Sequence, residues 1–447
     1  MRRSPLNAIH TEEAAMNNFT PGGYKKLLLN SIACLLEDRE LYLNQPDADF
    51  TRNRLISFEN TILFSLFVGK GTLSSEILDY FPEAKLPSVS ALVQQRQKIN
   101  KNAYEDLFKI FTHSLPFKQR IKGLQLVAID GTHVNVPYNP KDVFSFTNSI
   151  KNRKGFNQML LCAAYDPLNH YYLDAVVQGY RSMNEPRACC EMIDRRSGKP
   201  YSTLYLMDRG FATFNTIGHT IHNEQYFLIR AKQDFVHNLS KTNRVLRSED
   251  EFDEKITITI GGHNTQTNRA TENFHFVSRK FRTYDCIDDR KDLDSLTFRV
   301  LHLKISDSTD EYIVTNLPTK AFSPRDIQEL YRLRWNEETS FRALKYTVGL
   351  LSFHSKSHEF QIQEIFAKLT MYNFCSAVTS CTESKKRTEK YDYVTEKAYA
   401  FIACIEYLKG NIRNVTRLIS KRLVPIRPGR SFIRCLRRQF ANSLNYR

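Results

Sequence analysis

The sequence predicts an α/β protein. A mixed-sheet core is interrupted by an all-β insertion, preceded by a helical domain and followed by a helical, basic C-terminal region. Three observations predict this. Helix-period apolar positions fill the chain from Tyr24 to about Ser114. The runs "LQLVAIDGTHVNV" and "TLYLMDRGF" read as strands apolar on both faces, hence central in a sheet. Strand-like segments then follow one another from Asp234 to Asp310. At 447 residues the chain can build two or three cores.

Residues 1–20 carry no periodic pattern and read as a flexible N-terminus. Residues 21–118 form the helical domain, with "LLLNSIACLLEDRE", "RLISFENTILFSLFV" and "TLSSEILDYF" as helices. Pro87–Ser88 opens a further helical stretch rich in Gln, Arg and Lys. Two short helices joined by a Pro/Lys turn suit either a DNA-reading module or a plain bundle.

Residues 119–233 change texture. After the Leu124 strand, "NQMLLCAAYDPLNHYYLDAVVQGY" reads as a hairpin turning at Asp166–Asn169. "NEPRACCEMIDR" is helical, "TLYLMDRGF" a strand, "FNTIGHTIHN" a helix and "QYFLIRAK" a strand. The order β-β-β-α-β-α-β gives a mixed sheet, as in a ribonuclease H-like core. Residues 234–310 are the all-β insertion. Residues 311–382 complete the core with two long helices, the first capped by Ser323, Pro324 and Asp326. Residues 383–447 are the basic C-terminal region.

Composition narrows the function. No apolar run approaches the ~20 residues of a membrane span, so no membrane partner is expected. "MRRSPLNAIHTEE" has basic residues without an apolar core, so no signal peptide is expected. Nine scattered cysteines without a CxxC pair read as reduced thiols of a cytoplasmic protein. The net charge is +16, and no acidic residue follows Glu406, where eleven Lys and Arg occupy the last 41 positions. Tyr407, Phe432, Phe440 and Tyr446 interleave with them, which points to a nucleic acid.

A carboxylate inside an apolar strand needs a partner or a metal. Asp130 follows Val127–Ala128–Ile129 and shares a face with Leu126 and Ala128 by parity; Asp208 closes "LYLMD". Both sit where a buried strand meets the sheet edge. Asp166, before Pro167, reads as a turn former; Asp174 as a residue free to face solvent; Asp194 as a helix-surface residue; Glu185 as a supporting residue near the site.

The stretch "YRLRWNEETSFRALK" at Tyr331–Lys345 reads as part of a helix. At ~100° per residue, Tyr331, Arg334, Glu338 and Lys345 share a stripe about 60° wide. Glu337 points roughly 100° away from Glu338 and is expected to face solvent. Arg334 and Arg342 flank Glu338 at i−4 and i+4 and can hold its side chain. Three carboxylates on a basic surface suit divalent-cation phosphoryl transfer, with Arg334 and Lys345 on phosphates.

These residues resemble the bacterial insertion-sequence DDE transposases of the cut-and-paste group. That group is marked by a Tyr-x2-Arg-x3-Glu-x6-Lys signature, matched by Tyr331, Arg334, Glu338 and Lys345. "AIDGT" resembles the first-Asp motif and "DRGF" the second. The resemblance spans roughly residues 120–380. It implies a ribonuclease H-like fold and Mg2+-dependent cleavage and strand transfer at transposon ends, with Mn2+ able to substitute. It also implies Asp130, Asp208 and Glu338 as catalytic metal ligands, and Tyr331, Arg334, Trp335, Arg342 and Lys345 on DNA. The partners implied are double-stranded DNA, as terminal inverted repeats and target, and a second copy of the chain on that DNA. A nucleoid-associated cytoplasmic location follows from the same resemblance. Two other readings stay open: an inactive DNA-binding descendant, and a stand-alone ribonuclease H-like nuclease. His354 with His358, and His219 with His222, have spacings seen in zinc sites but lack an evident third ligand.

Overall fold

The computed structural model describes residues 19–52, 54–149, 152–198, 201–278, 283–287, 293–306, 309–382 and 393–425. The flexible N-terminus expected at 1–20, and the basic tail beyond residue 425, fall almost wholly outside them. The N-terminal helices are α1 (Pro21–Glu37), α2 (Phe58–Phe67), α3 (Leu73–Tyr80), α4 (Val89–Gln97) and α5 (Asn102–Ser114). The core follows with β1 (Gln125–Val136), β2 (Phe146–Ser149), β3 (Asn152–Asp166), β4 (Tyr171–Gly179), α6 (Glu185–Arg195), β5 (Thr203–Met207), α7 (Phe214–His222) and β6 (Tyr226–Ala231). Next come α8 (Gln233–His237), β7 (Phe252–Gly261), α9 (Gln266–Arg269), β8 (Phe274–Phe276), β9 (Leu293–Ser306) and β10 (Thr309–Thr315). The chain continues through α10 (Pro324–Arg332), α11 (Trp335–Arg342), α12 (His358–Ser380), β11 (Tyr393–Thr395), α13 (Lys397–Lys409), α14 (Val415–Ile419) and β12 (Leu423–Pro425).

Local chemistry sets these boundaries. Thr20, Ser57, Thr72 and Ser88 each cap a helix by accepting a backbone N–H. Ser323 and Asp326 form a reciprocal capping box, with Pro324 in the first turn, as the sequence predicts. The stretch opened by Ser88 is two helices rather than one. Ile99 leaves the helix to bridge Leu43, so the chain breaks between α4 and α5. The hairpin turns where expected: Asp166 accepts from the backbone N–H groups of Leu168 and Asn169.

Ten strands make one mixed sheet, in the order β2-β3-β1-β5-β6-β10-β9-β7-β8, with β4 also on β3. β1 is antiparallel to β3 and parallel to β5, and β5 is parallel to β6. The segment 234–310, read as an all-β insertion, also contains α8, α9 and a short 3-10 turn. Its long strands are not a separate unit: β9 pairs with β10, which pairs with β6.

Side chains alternate between two cores, as strand geometry requires. Val127, Ile129, Tyr205 and Met207 enter the larger core with α6, α7 and α12. Leu126, Ala128, Leu204 and Leu206 enter the smaller one, under Ile327 and Leu330 of α10. The apolar run "TILFSLFVG" lies largely in α2, which is a buried helix. Among the described residues no helix is long and apolar enough to cross a membrane, and the eight described cysteines are free thiols.

α12 is buried on nearly every side, and its polar residues find partners. Arg96 of α4 donates to Gln363 at 2.8 Å, to Glu364 at 2.9 Å and to the Phe360 carbonyl at 2.8 Å. Burial pushes the Glu364 carboxyl up, but Arg96 and His354 outweigh it and hold its pKa at about 2. Glu364→Gln leaves Arg96 without its counter-charge and should cost ~3–5 kcal/mol in denaturant unfolding. The folded pKa lies below the usual 4.5. The contribution is therefore complete above that value and lost as pH falls toward about 2. The gap between wild type and Glu364→Gln should close over that window.

Candidate active site

The parallel register of β1 and β5 positions the first two carboxylates. Ala128 pairs with Leu206 and Ile129 with Met207, so Asp130 and Asp208 follow side by side where β5 ends. Asp130 itself lies mid-strand rather than at the strand edge the sequence suggests, because β1 outruns β5 and continues to Val136 against β3. Parity puts both on the face that carries Ala128 and Leu206. Asp130 Oδ1 accepts from the Gly131 N–H at 2.8 Å, and Asp208 Oδ1 from the Gly210 N–H at 2.7 Å. Burial pushes Asp130 up to a pKa of about 6, with Asp208 and Glu185 adding to the rise and Gly131 and Arg334 opposing it.

Glu185, in the first turn of α6, completes this edge. Burial and then Asp208 raise its pKa. A Cβ on Gly131 would stand 2.3 Å from Glu185 Oε1, so glycine there lets the Glu185 side chain lie against the strand. Glu185, singled out in "MNEPR", thus lies close to Gly131 and Asp208.

The segment Tyr331–Lys345 departs from a straight helix. α10 ends at Arg332, α11 starts at Trp335, and residues 343–348 widen into a π-helix. Leu333, Arg334, Asn336 and Glu337 each donate to the carbonyl three residues back. Such 3-10 winding turns ~120° per residue instead of ~100°, so four residues add about 80°. That rotation carries Glu337 onto the stripe and overturns its expected exposure. Glu337 is 0% exposed, and neither carboxylate oxygen has a hydrogen-bond partner. Burial first, then the Asp130 charge, raise its pKa far above the usual carboxylate range. Glu338, one residue on, is half-buried.

The cations converge on the same edge. Arg334 Nη1 lies 3.6 Å from Asp130 Oδ2, and its guanidinium sits 5.7 Å from the centre of the Tyr331 ring. Burial lowers the Lys345 pKa while Asp130 pulls it back up. Tyr331 is buried and feels Arg334, Arg230 and Asp208. Trp335 is 56% exposed, and Arg342 is exposed on the same helix. The structure thus gathers Asp130, Asp208, Glu185, Tyr331, Arg334 and Lys345, with Glu337 buried among them.

The other carboxylates have local roles. Asp166 is a buried turn former that also takes the Gln125 side chain. Asp174, read as free to face solvent, is instead buried against Arg195 at 3.2 Å, because β4 packs beneath α6. His354 contacts the Gly71 carbonyl and His358 contacts Asp142, so this pair shares no site.

Carboxylate oxygens are the donor type a hard divalent cation takes, although among the described residues no three of these carboxylates converge within 4.8 Å. Acidic groups share a desolvated edge with one close arginine, and Glu337 holds two unpartnered oxygens beside Asp130. A family model for the transposase DDE domain matches residues 121–374, more than half of the chain. No curated protein matches. Among solved structures, the chain is similar to piggyBac transposase in a synaptic complex with hairpin DNA. That likeness has 8% identity and a TM-score of 0.46, over 91% of this chain and 84% of the other. At that level it supports no argument about fold or function.

Glu337 offers a test of the geometry by itself. Replacing an unpartnered buried carboxyl by an apolar side chain of similar size removes a desolvation cost. Glu337→Leu should stabilise the protein by ~1–3 kcal/mol in thermal or urea unfolding without divalent cations. A lower stability would show that the carboxyl has a partner.

Proposed function

The chain belongs to the transposase DDE-domain family, and from that premise we propose that it cleaves DNA at the ends of a mobile element and joins the freed ends to a target. The observation that carries this reading is that Asp130 and Asp208 each follow the last paired residue of the parallel β1–β5 ladder, with Arg334, Lys345 and Tyr331 beside them. The fold reading is ribonuclease H-like. The order β4-β3-β1-β5-β6, with antiparallel pairs first and parallel crossovers after, supports it.

Asp130, Asp208 and Glu338 would hold Mg2+, with Mn2+ able to substitute. When bound, Mg2+ supplies activation of the attacking oxygen and charge stabilisation on the leaving one. Glu338 is assigned by the Tyr-Arg-Glu-Lys spacing, and its half-buried side chain is open to solvent. The burial of Glu337 next to Asp130 favours a second reading, in which Glu337 supplies the third carboxylate.

The remaining residues bind and orient DNA. Arg334 is held by Asp130 and Tyr331, so its fork is fixed before a phosphate arrives. Lys345 offers a point charge beside it, and Arg342 an exposed one on the flank. Trp335 presents an open ring on which a displaced base can stack. The double-stranded partner comprises the terminal repeats and the target. A homodimer assembled on DNA, and a bacterial, nucleoid-associated setting, complete the proposal.

Cleavage and joining are measured separately, the second on a precleaved 3′-hydroxyl end. Asp130→Asn, Asp208→Asn and Glu338→Gln should each lower both by ~10²–10³-fold or more, with end binding retained. Glu337→Gln should spare activity; the reverse outcome for the two glutamates assigns the third ligand to Glu337. Cleavage without joining would leave a nuclease, and binding without either an inactive descendant. Trp335→Ala should weaken binding to a distorted end by ~1–3 kcal/mol in a titration, with Trp335→Phe recovering most of it.

A further inference from the structure

Away from the carboxylate edge, His219, Asp285 and Cys286 form a cluster of mixed donors. One ligand atom from each lies within 4.8 Å of the others. His219 projects from α7 and its side chain is 15% exposed. Its Nδ1 faces Asp194 Oδ1 of α6 at 2.9 Å, and its Nε2 faces Asp285 Oδ1 at 2.6 Å. Asn223 also donates to Asp194 Oδ1, at 2.9 Å, which fixes that carboxylate.

The chain carrying Asp285 and Cys286 is seated directly on the helix. The Asp285 N–H donates to Asn215 Oδ1 at 3.0 Å. A Cβ on Gly218 would meet the Tyr284 side chain at 2.9 Å and Cys286 Sγ at 3.0 Å, so only glycine lets the two pack this closely. Tyr284 in turn donates to Asp294, which also contacts His222.

We propose that His219 Nε2, the Asp285 carboxylate and the Cys286 thiolate bind a divalent transition metal of the zinc class. A nitrogen, sulfur and oxygen set suits zinc and discriminates against magnesium. The Asp194 contact to Nδ1 is the carboxylate–histidine arrangement that orients a metal-bound imidazole. Three protein ligands leave a fourth position for water. A bound ion would staple residues 283–287 to α7, the helix that follows the Asp208 turn. This site uses none of the residues of the carboxylate edge, so it stands or falls independently of the proposed DNA chemistry.

The test titrates Zn2+ and Co2+ into the purified full chain carrying Cys34→Ser, which removes an exposed thiol. The proposal expects one tight equivalent of either metal, a higher Tm, and a near-ultraviolet thiolate-to-Co2+ band. Cys286→Ser, a near-isosteric change, should abolish the band. Asp194→Asn should keep the band but weaken affinity by ~10–100-fold. Asp130→Asn should bind as the parent does. A parent that retains no zinc after gel filtration and shows no thiolate band overturns the proposal. So does a band that survives Cys286→Ser.

Discussion

The pairing of β1 with β5 is the constraint on which the rest of the site depends. Two parallel strands in register must deliver their next residues side by side, and here those residues are Asp130 and Asp208. Burial there disfavours a charged carboxylate and the neighbouring Asp208 and Glu185 add to it, so the Asp130 pKa is pushed up to about 6. The surroundings answer that cost in two ways. Arg334 brings a positive charge to 3.6 Å, and the Gly131 and Gly210 N–H groups each donate to an aspartate. Glu185 works in the opposite direction by adding a third acidic group, which a purely structural cluster would avoid. An edge that gathers negative charge beyond what its own cations neutralise is organised for a cation from outside.

Much of this was legible in the sequence, and the reason is geometric. Strand periodicity is 2, so short apolar runs locate Asp130 and Asp208 on one face of neighbouring strands without tertiary information, but not that β1 runs on past Asp130 to Val136. The capping box at Ser323 and the turn at Asp166 are equally local, since their hydrogen bonds span three residues or fewer. The helical segment was harder. A wheel projection accumulates error with every departure from 3.6 residues per turn. Four 3-10 bonds followed by a π-turn undo it within fifteen residues. Nothing in "YRLRWNEETSFRALK" announces those departures, because the break follows from α10 and α11 packing on different cores. Ile327 and Leu330 belong to the smaller core, and Phe341 and Leu344 to the larger, so the chain must turn sharply between them.

Two further features depended on contacts distant in sequence. Arg96 lies in a Gln-, Arg- and Lys-rich stretch that reads as a DNA-reading module or a plain bundle, and it is buried against Glu364, 268 positions away. The segment 234–310 reads correctly as rich in strands, but its union with the main sheet rests on β10 choosing β6 as a neighbour. The cluster at His219 was invisible for the same reason. Its histidine comes from α7 and its adjacent aspartate and cysteine from a segment more than sixty residues later, with no motif spacing between them.

The adjacent glutamates show how one fold can separate electrostatics from access. A helix places neighbouring residues ~100° apart, so Glu337 and Glu338 cannot occupy the same environment. One is driven under Asp130 and loses water entirely; the other stays at the rim. A buried carboxyl without a well-formed hydrogen bond costs stability, and burial pushes its pKa up. Stability therefore argues against a glutamate at position 337, while the negative edge formed by Asp130, Asp208 and Glu185 explains where its carboxyl would matter. A residue that costs stability beside a charged edge marks the place where folding and chemistry make opposite demands.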